Sequence, residues 1–353
     1  RMDLDVPALV SDVEDALRSF FFLNLTRRLF ANLIAVLLFS LWTLLLCFLC
    51  LWQAIVAYWV DLQHAVPGIG LLVMFLGTWT GVIFVWWNDR HFRKIGQELS
   101  RVDRPRLASW RRCTGLFMGV FWICGFVYMV LEYILPHMLI ISPDEVLPFH
   151  DQFPFSALEP VAVCFTFIIA SSVFSLFALT ARVHYFKMIS MVDRLRQETQ
   201  RVDQEVIIAE VGKYKKEVAA SQVQWWVIVE PALAAAIIAF IASALGLYSS
   251  RAAKELDVSS VLLAVLSAVV VSLILLVLTV VNVGAEDLQR LVDARPDLFG
   301  DLEARNDLIY YLRTRGSVRW RVFGLNVNRR FVHKTILGFT TSFFVGILKS
   351  SFY

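Results

Sequence analysis

The sequence lacks the common signatures of an enzyme. It has no glycine-rich phosphate-binding loop, no dinucleotide-binding glycine pattern and no Gly-x-Ser-x-Gly turn around a nucleophile. Its six histidines show no metal-ligand spacing, so no metal and no other cofactor are expected. We therefore expect a protein that is not an enzyme.

Cysteine is also scarce. The chain has five cysteines, and all of them lie in or beside apolar segments rather than in long loops. A structural disulfide is therefore not expected. Cys47 and Cys50 form a Cys-x-x-Cys pair, but they do so inside an apolar segment, where packing explains them better than redox chemistry.

Apolar residues are abundant instead, at 58% of the chain. A helix needs about 20 apolar residues to cross the bilayer core, and in lipid its backbone groups are satisfied within the segment. The sequence predicts an all-α, multi-pass membrane protein with seven such segments: 30–60, 68–87, 113–141, 158–186, 223–248, 259–283 and 331–351.

Lysine and arginine are missing from alternate connections between these segments. None lies in 61–67 or 142–157, and the fifth connection holds only Arg251 and Lys254. The N-terminal arm and the other connections, counted with Arg182 near the end of the fourth segment, hold 29 of the 33 basic residues. The positive-inside rule then predicts a cytosolic N-terminus and an extracellular C-terminus, most simply in the plasma membrane.

This orientation separates the chain from rhodopsin-like receptors, which cross seven times in the opposite sense. The sequence also lacks their Asp-Arg-Tyr and Asn-Pro-x-x-Tyr motifs. The basic inner stretches are interpreted as topology determinants that contact anionic membrane lipids, and no nucleic-acid partner is expected.

The inner stretches are long and have helical periodicity. An amphipathic helix over 1–29 fits either the lipid interface or packing on a cytosolic body. The six-helix membrane region, 30–283, has cytosolic helical extensions at 88–112 and 186–222. A cytosolic anchor segment, 284–330, breaks at Pro296 and Gly300 and then resumes as an amphipathic helix, and the seventh membrane helix covers 331–353. The apolar positions of the anchor predict self-association, although a solvated monomeric helix pair is the alternative.

The last 31 residues before Phe352 carry a family resemblance. The stretch RVFGLNVNRRFVHKTILGFTTSFFVGILKSS, with the predicted topology, resembles the insect odorant and gustatory receptor superfamily, most of all its gustatory-receptor-like proteins. The chain follows the family's closing motif at Phe323-Gly324-Leu325, Asn328-Arg329-Arg330 and Thr341. It departs from that motif at Ser342, Leu348 and Lys349, where the family carries Tyr, Gln and Phe.

The resemblance implies a homotetramer in which the last helix of each subunit lines a pore and the cytosolic ends interlock. The residues expected to anchor the tetramer are Leu308, Tyr311, Leu312, Trp320, Phe323 and Gly324. It also implies a pocket for a small apolar ligand among the outer halves of helices two to six.

One face of the seventh segment is smaller and more polar than the other. Its residues, at helical spacing, are Gly338, Thr341, Val345, Leu348 and Lys349. Small and hydroxyl residues fit a pore axis or a tight helix contact, and the resemblance favours the pore. Val345 and Leu348 are a candidate hydrophobic gate. Lys349 either extends outward to the interface, favours anions, or marks a channel that does not conduct.

Two carboxylates lie within apolar segments, where an ionisable side chain suggests a functional site. Glu132 is either an interfacial residue or part of the ligand pocket, whose other candidates are Phe75, Trp79, Tyr128, Tyr133 and Phe165. Glu230 is predicted to pair with a basic side chain at the inner end of its helix, and Pro231 is predicted to kink that helix.

The sequence thus predicts a homotetrameric, ligand-gated ion channel of the chemoreceptor type. Two alternatives stay open. The departures at Leu348 and Lys349 favour a non-conducting member that acts as a lipid-binding or scaffold protein. A transporter fits less well, because seven segments do not divide into two repeats.

Overall fold

The structure, a computed structural model, is helical over most of the chain that it describes. It describes scattered residues between 37 and 127 and then 155–198, 200–250, 258–295, 298, 302–314, 320–327 and 329–351. The N-terminal helix predicted for 1–29 and the extension predicted for 88–112 lie outside the described residues, as do most of the first three apolar segments.

Apolar segments four to seven are confirmed as helices. Helix α1 is Phe155–Gln197, α2 is Gln204–Ser250, α3 is Val258–Ala294 and α5 is Arg329–Ser351. Between α3 and α5 lie a short helix, α4 (Leu302–Arg313), and two strands, β1 (Arg321–Val322) and β2 (Leu325–Asn326). Pro231 lies inside the uninterrupted α2.

Two stretches are long and apolar enough to cross a membrane among the described residues, Gln204–Ile241 and Ala264–Ala294. Helix α2 has 47 residues, so at 1.5 Å per residue it is about 70 Å long, roughly twice the bilayer core. The predicted helical extension at 186–222 is therefore present as the end of α1 and the start of α2. Asp203 caps α2, where its Oδ1 accepts a hydrogen bond of 2.9 Å from the N–H of Glu205.

The chain divides into two compact units. The first contains residues 1–176, 231–271 and 339–353, and the second contains 177–230 and 272–338. In the first unit, Gly81 lies against α1 so closely that a Cβ there would be 3.2 Å from a Val173 methyl carbon. A helix contact this tight is typical of membrane bundles, where small residues let backbones approach.

The second unit has a core of α1, α2, α3 and α4. Its deepest side chains are Met188, Ile207, Trp225, Leu288, Leu308 and Trp320. Gly284 of α3 lies against α1, because an added Cβ would meet the Cβ of Met188 at 3.1 Å. The α1–α2 connection meets the segment after α3, where the N–H of Val202 donates to the carbonyl of Leu298 at 2.9 Å.

The sequence misplaced one element of the anchor segment. The predicted break is present, since α3 ends before Pro296 and α4 begins after Gly300. However, α4 ends at Arg313, and Trp320, Val322 and Phe323 do not lie on an amphipathic helix. Trp320 directly precedes a β-hairpin that contains Val322 and Phe323, in which Arg321 pairs with Asn326 and Val322 with Leu325.

The hairpin turn has positive φ at both central residues, 49° at Phe323 and 74° at Gly324. This is the type I′ pattern, whose twist matches that of paired strands. Glycine adopts it freely, but phenylalanine does so at a cost of about 1–2 kcal/mol. The surrounding contacts must therefore hold Phe323 in place.

Candidate functional site

The segment 320–327 joins α4 to α5, and three longer helices hold it. Its contacts come from α1, α2 and α3, all within the second unit. We call residues 320–327 the joint, because this segment connects α4 to α5. In the part of the chain that the structure describes, hydrogen bonds of Gln222, Glu230 and Asn282 converge on this segment.

Asn282 of α3 fastens both ends of the joint. Its Oδ1 accepts a hydrogen bond of 2.9 Å from the N–H of Trp320, and its Nδ2 donates to the carbonyl of Val327. The side chain is only 5% exposed. Because water cannot replace either partner there, the loss of this side chain would leave two buried main-chain groups unsatisfied.

Trp320 is the apolar centre of the joint. It is 1% exposed, and its ring stacks on Phe177 of α1 with centroids 5.5 Å apart and planes 13° apart. Phe177 in turn contacts Trp225 of α2 at 5.2 Å. The indole N–H of Trp320 donates to the carbonyl of Val218 at 3.4 Å. One tryptophan thus packs on α1 and α2 while its main chain is bound to α3.

A buried polar network lies beside Trp320. His184 Nε2 and Ser221 Oγ share a hydrogen bond of 2.8 Å, and the hydroxyl of Tyr214 donates to the His184 carbonyl at 2.8 Å. A serine next to a histidine is the geometry of an activated nucleophile. Here Ser221 is 3% exposed and His184 is 5% exposed, so a substrate has no access. The pair is better interpreted as a structural network that fixes α1 against α2.

Helix α2 also holds the hairpin itself. The Nε2 of Gln222 donates to the carbonyl of Arg321 at 3.0 Å, and the N–H of Phe323 donates to Oε1 of Glu230. The prediction that Glu230 pairs with a basic side chain is therefore wrong for the described residues, where the partner of Glu230 is a main-chain N–H in the turn. A charge-assisted hydrogen bond is stronger than a neutral one, which helps to keep Phe323 in its strained conformation.

The predicted tetramer-anchor residues fall into two groups. Leu308, Leu312 and Trp320 are buried within the single chain, and the hydroxyl of Tyr311 donates to the carbonyl of Ile208 at 3.5 Å. Phe323 and Gly324 lie at the exposed hairpin tip, where Phe323 is 50% exposed. The first group stabilises the single chain, and only the second is exposed.

The predicted pore residues all lie on α5. Gly338 and Thr341 are exposed, and a Cβ at Gly338 would meet no atom within 4 Å. Val345, Leu348 and Lys349 are in the helix, but their side chains lie outside the described part of the chain. The exposed face continues toward the helix start through Leu337, Lys334 and Arg330.

The predicted ligand pocket is described only in part. Trp79 donates from Nε1 to Ser40 Oγ at 2.9 Å, and Phe165 lies in α1. Phe75, Tyr128, Glu132 and Tyr133 lie outside the described residues, so the pocket stays a prediction. Among the residues that the structure describes, no three metal-ligating side chains converge.

Two polar residues that lie beside the joint, Asn282 of α3 and His184 of α1, were not singled out from the sequence. Asn282 and His184 were visible as polar residues at the inner ends of the sixth and fourth apolar segments. A polar side chain there is a signal, since it must be paired when it is buried. Their partners are not visible, because Asn282 binds residues 38 and 45 positions away in the sequence.

Comparison with solved structures shows which known fold the chain resembles. The chain is similar to the insect olfactory receptor OR5 from Machilis hrabei, with a TM-score of 0.56 and 14% sequence identity over 90% of this chain and 88% of that one. No model of a protein family matches the sequence, and no curated protein matches it. The chain therefore has the fold of an insect olfactory receptor, and two of its described stretches are long and apolar enough to cross a membrane.

Proposed function

We propose that the chain is one subunit of a homotetrameric, ligand-gated ion channel of the chemoreceptor type. The observation that carries the proposal is the similarity of fold, which extends over nine-tenths of the chain to an insect olfactory receptor. In this proposal α5 lines the pore, and a small apolar ligand binds among the outer halves of the second to sixth membrane helices. The gustatory-receptor-like subtype is part of the proposal.

The geometry of the joint supports a gating mechanism. A ligand opens a channel only if it binds better to the arrangement that moves the pore helix. Helices α1, α2 and α3 all contact residues 320–327, and α5 begins two residues later at Arg329. A change in the packing of those helices would therefore be transmitted through the joint to α5.

The exposed face of α5 supports the pore assignment. Gly338 and Thr341 are exposed in the single chain, and so is Leu337, at 66%. A helix that lined a central pore would have such a face, small and partly polar, which four copies together would enclose.

Single-particle imaging of the purified protein tests the proposal. We expect class averages with fourfold symmetry and α5 on the axis, and ligand-dependent currents in a planar bilayer. A monomeric particle, or a tetramer with α5 at its periphery, would contradict the assignment. An epitope tag after Tyr353 that antibody reaches only in permeabilised cells would contradict the predicted orientation.

A second candidate is a non-conducting relative that acts as a lipid-binding or scaffold protein. The observation that favours it is Lys349, with Leu348 before it, where the family motif carries Gln and Phe. Currents recorded from Lys349→Gln separate the two functions. A fourfold particle that stays silent with and without the substitution would favour the scaffold.

A further inference from the structure

The joint is attached to two helices at two different places. Asn282 of α3 binds its ends, where Oδ1 accepts from the N–H of Trp320 and Nδ2 donates to the carbonyl of Val327. Glu230 of α2 binds its turn, where Oε1 accepts from the N–H of Phe323. Because both helices hold the same short segment, a displacement of α2 relative to α3 has to stretch one of the two attachments.

The attachment to α3 resists opening. The Asn282 side chain is almost fully buried, and so are both of its hydrogen bonds. Buried main-chain groups that lose their partner have no water to replace it, so opening costs the desolvation of both groups. The stacking of Trp320 on Phe177 adds apolar burial at the same end of the joint. We therefore expect this end to move together with α3.

The attachment to α2 opens more easily. The bond between Glu230 and the N–H of Phe323 lies at the surface of the chain, and so does the bond from Gln222 to the Arg321 carbonyl. Water can solvate all four groups when these bonds break, so opening costs only their net strength. The Phe323 side chain is half exposed and adds little burial. The turn is therefore the part of the joint that opens first.

The backbone of the turn depends on this attachment. Phe323 has a φ of 49°, and a residue other than glycine stays in that region only where its surroundings hold it. Among the described residues, Glu230 is the side chain that binds the main chain of Phe323. The loss of that bond would therefore change the path of the chain between β1 and β2. Strained residues of this kind cluster at switch regions.

We propose that Glu230 is a positioning residue for gating, and that its hydrogen bond to Phe323 is a releasable latch between α2 and the joint. With the latch closed, a movement of α2 pulls on the joint and on α5, which begins at Arg329. With the latch open, the joint follows α3 alone. A ligand that prefers one of these states changes the start of the pore helix. The role in gating rests on the proposed function, whereas the latch itself does not.

Hydrogen–deuterium exchange of the purified protein in nanodiscs tests the latch without current. In the wild type, the Phe323 amide should exchange through local opening about tenfold or more faster than the buried Trp320 amide. Glu230→Ala should speed the exchange of Phe323 about tenfold further and leave Trp320 unchanged, which also shows that the variant is folded. Glu230→Gln keeps an oxygen acceptor without the charge, so its exchange should fall between the two.

Glu205→Gln is the matched control. Glu205 is an exposed carboxylate of the same helix, and it lies outside the joint. Its substitution removes one negative charge from α2, as Glu230→Gln does, without touching the turn. The exchange of the Phe323 and Trp320 amides should therefore stay as in the wild type.

Single-channel recording in planar bilayers without ligand tests the role in gating. Glu230→Ala should change the fraction of time for which the channel is open about fivefold or more, which is the usual lower limit of coupling between two sites. The conductance of the open channel should stay the same. A residue that only stabilised the fold would reduce the number of channels and leave the open fraction unchanged. Glu230→Gln should have a smaller effect in the same direction, and Glu205→Gln none.

Two results would overturn the inference. Equal exchange of the Phe323 and Trp320 amides in the wild type, or an increase at both or at neither in Glu230→Ala, would show that there is no separate latch. Equal open fractions in wild type and Glu230→Ala, zero in both included, would show that the latch has no part in gating. The channel proposal would then still be decided by the fourfold particle, which does not depend on Glu230.

Discussion

The joint and the first turns of α5, up to Gly338, belong to the same unit but differ in almost every physical property. In the joint, side chains from three helices bury Trp320 and pair the main-chain groups on both sides of it. The first half of α5 instead leaves Arg330, Lys334, Leu337 and Gly338 exposed. The difference separates contacts that the chain completes within itself from a face that is exposed in the single chain.

The comparison predicts that substitutions in the joint affect folding, whereas substitutions on the exposed face affect assembly and conduction. Trp320 gives the largest expected effect. Trp320→Ala removes a ring that is 1% exposed, and it should lower the free energy of unfolding by about 3–5 kcal/mol. Thermal unfolding in detergent measures it.

The matched control is Trp226→Ala, at a tryptophan of α2 that is 43% exposed. Its effect on unfolding should be much smaller, because less apolar surface is lost from the interior. Equal losses of stability from the two substitutions would contradict the division between a complete core and an incomplete surface.

Asn282 is next in expected effect. Asn282→Ala removes the acceptor of the Trp320 N–H and the donor to the Val327 carbonyl. Each unsatisfied buried group costs about 1–3 kcal/mol, so a loss of about 3 kcal/mol is expected. Asn306→Ala, at an exposed position of α4, should change stability by less than about 0.5 kcal/mol.

Asn282 also tests whether the joint transmits gating. A folded channel that carries Asn282→Asp keeps the acceptor for Trp320 but loses the amide donor to Val327. If the joint couples α3 to α5, the ligand concentration for half-maximal current should change more than ligand binding does. Equal shifts in binding and current would show that the contact only stabilises the subunit.

These residues also show how far the sequence could predict the structure. The apolar segments gave the helices, because a backbone in lipid has to satisfy its own hydrogen bonds. Pro296 and Gly300 gave the break after α3 through their effect on helices. Both signals are local, so they can be read from a few neighbouring residues.

The hairpin could not be predicted in the same way. Its strands have two residues each, too few for an alternating pattern, and its turn begins with Phe323 where asparagine, aspartate or glycine is usual. The contacts that hold it come from Gln222, Glu230 and Asn282, which are 38 to 99 positions from their partners. Such pairings depend on tertiary packing and leave no local pattern.

Gly284 and Gly338 differ in the space beside them in the same way as the joint and the exposed face of α5. Gly284 lies against Met188, so Gly284→Leu should force α1 and α3 apart and cost about 1–3 kcal/mol or more of folding stability. A Cβ added at Gly338 would meet no atom of another part of the chain within 4 Å, so Gly338→Leu should leave the chain as stable as before or slightly more stable. If the α5 face lines a pore, Gly338→Leu should nonetheless reduce current strongly.

Size-exclusion chromatography with light scattering and bilayer recording measure the two outcomes. A stable Gly338→Leu protein with normal assembly and normal current would show that this face does not line a narrow pore. An unstable Gly338→Leu protein would show that the space beside Gly338 is filled within the subunit.

The turn of the hairpin gives the smallest expected effect. Phe323 has a positive φ of 49°, which asparagine tolerates much better than phenylalanine. Because the side chain is half exposed, Phe323→Asn loses little burial, and it should raise the free energy of unfolding by up to about 1 kcal/mol. Leu325→Asn is the control, at a side chain of similar exposure, 57%, outside the positive-φ turn. It should give no gain.

Phe323→Asn also tests whether the exposed phenylalanine contacts another subunit. If the phenylalanine ring contacts only solvent, the variant should be more stable and should assemble and conduct as the wild type does. If the tip contacts another subunit, the same variant should be more stable as a separate chain, but its oligomer should dissociate at a higher protein concentration than that of the wild type. Mass photometry over a dilution series distinguishes the two outcomes. In the second case, Phe323 would destabilise the separate chain through its strained backbone and stabilise the oligomer through its contact.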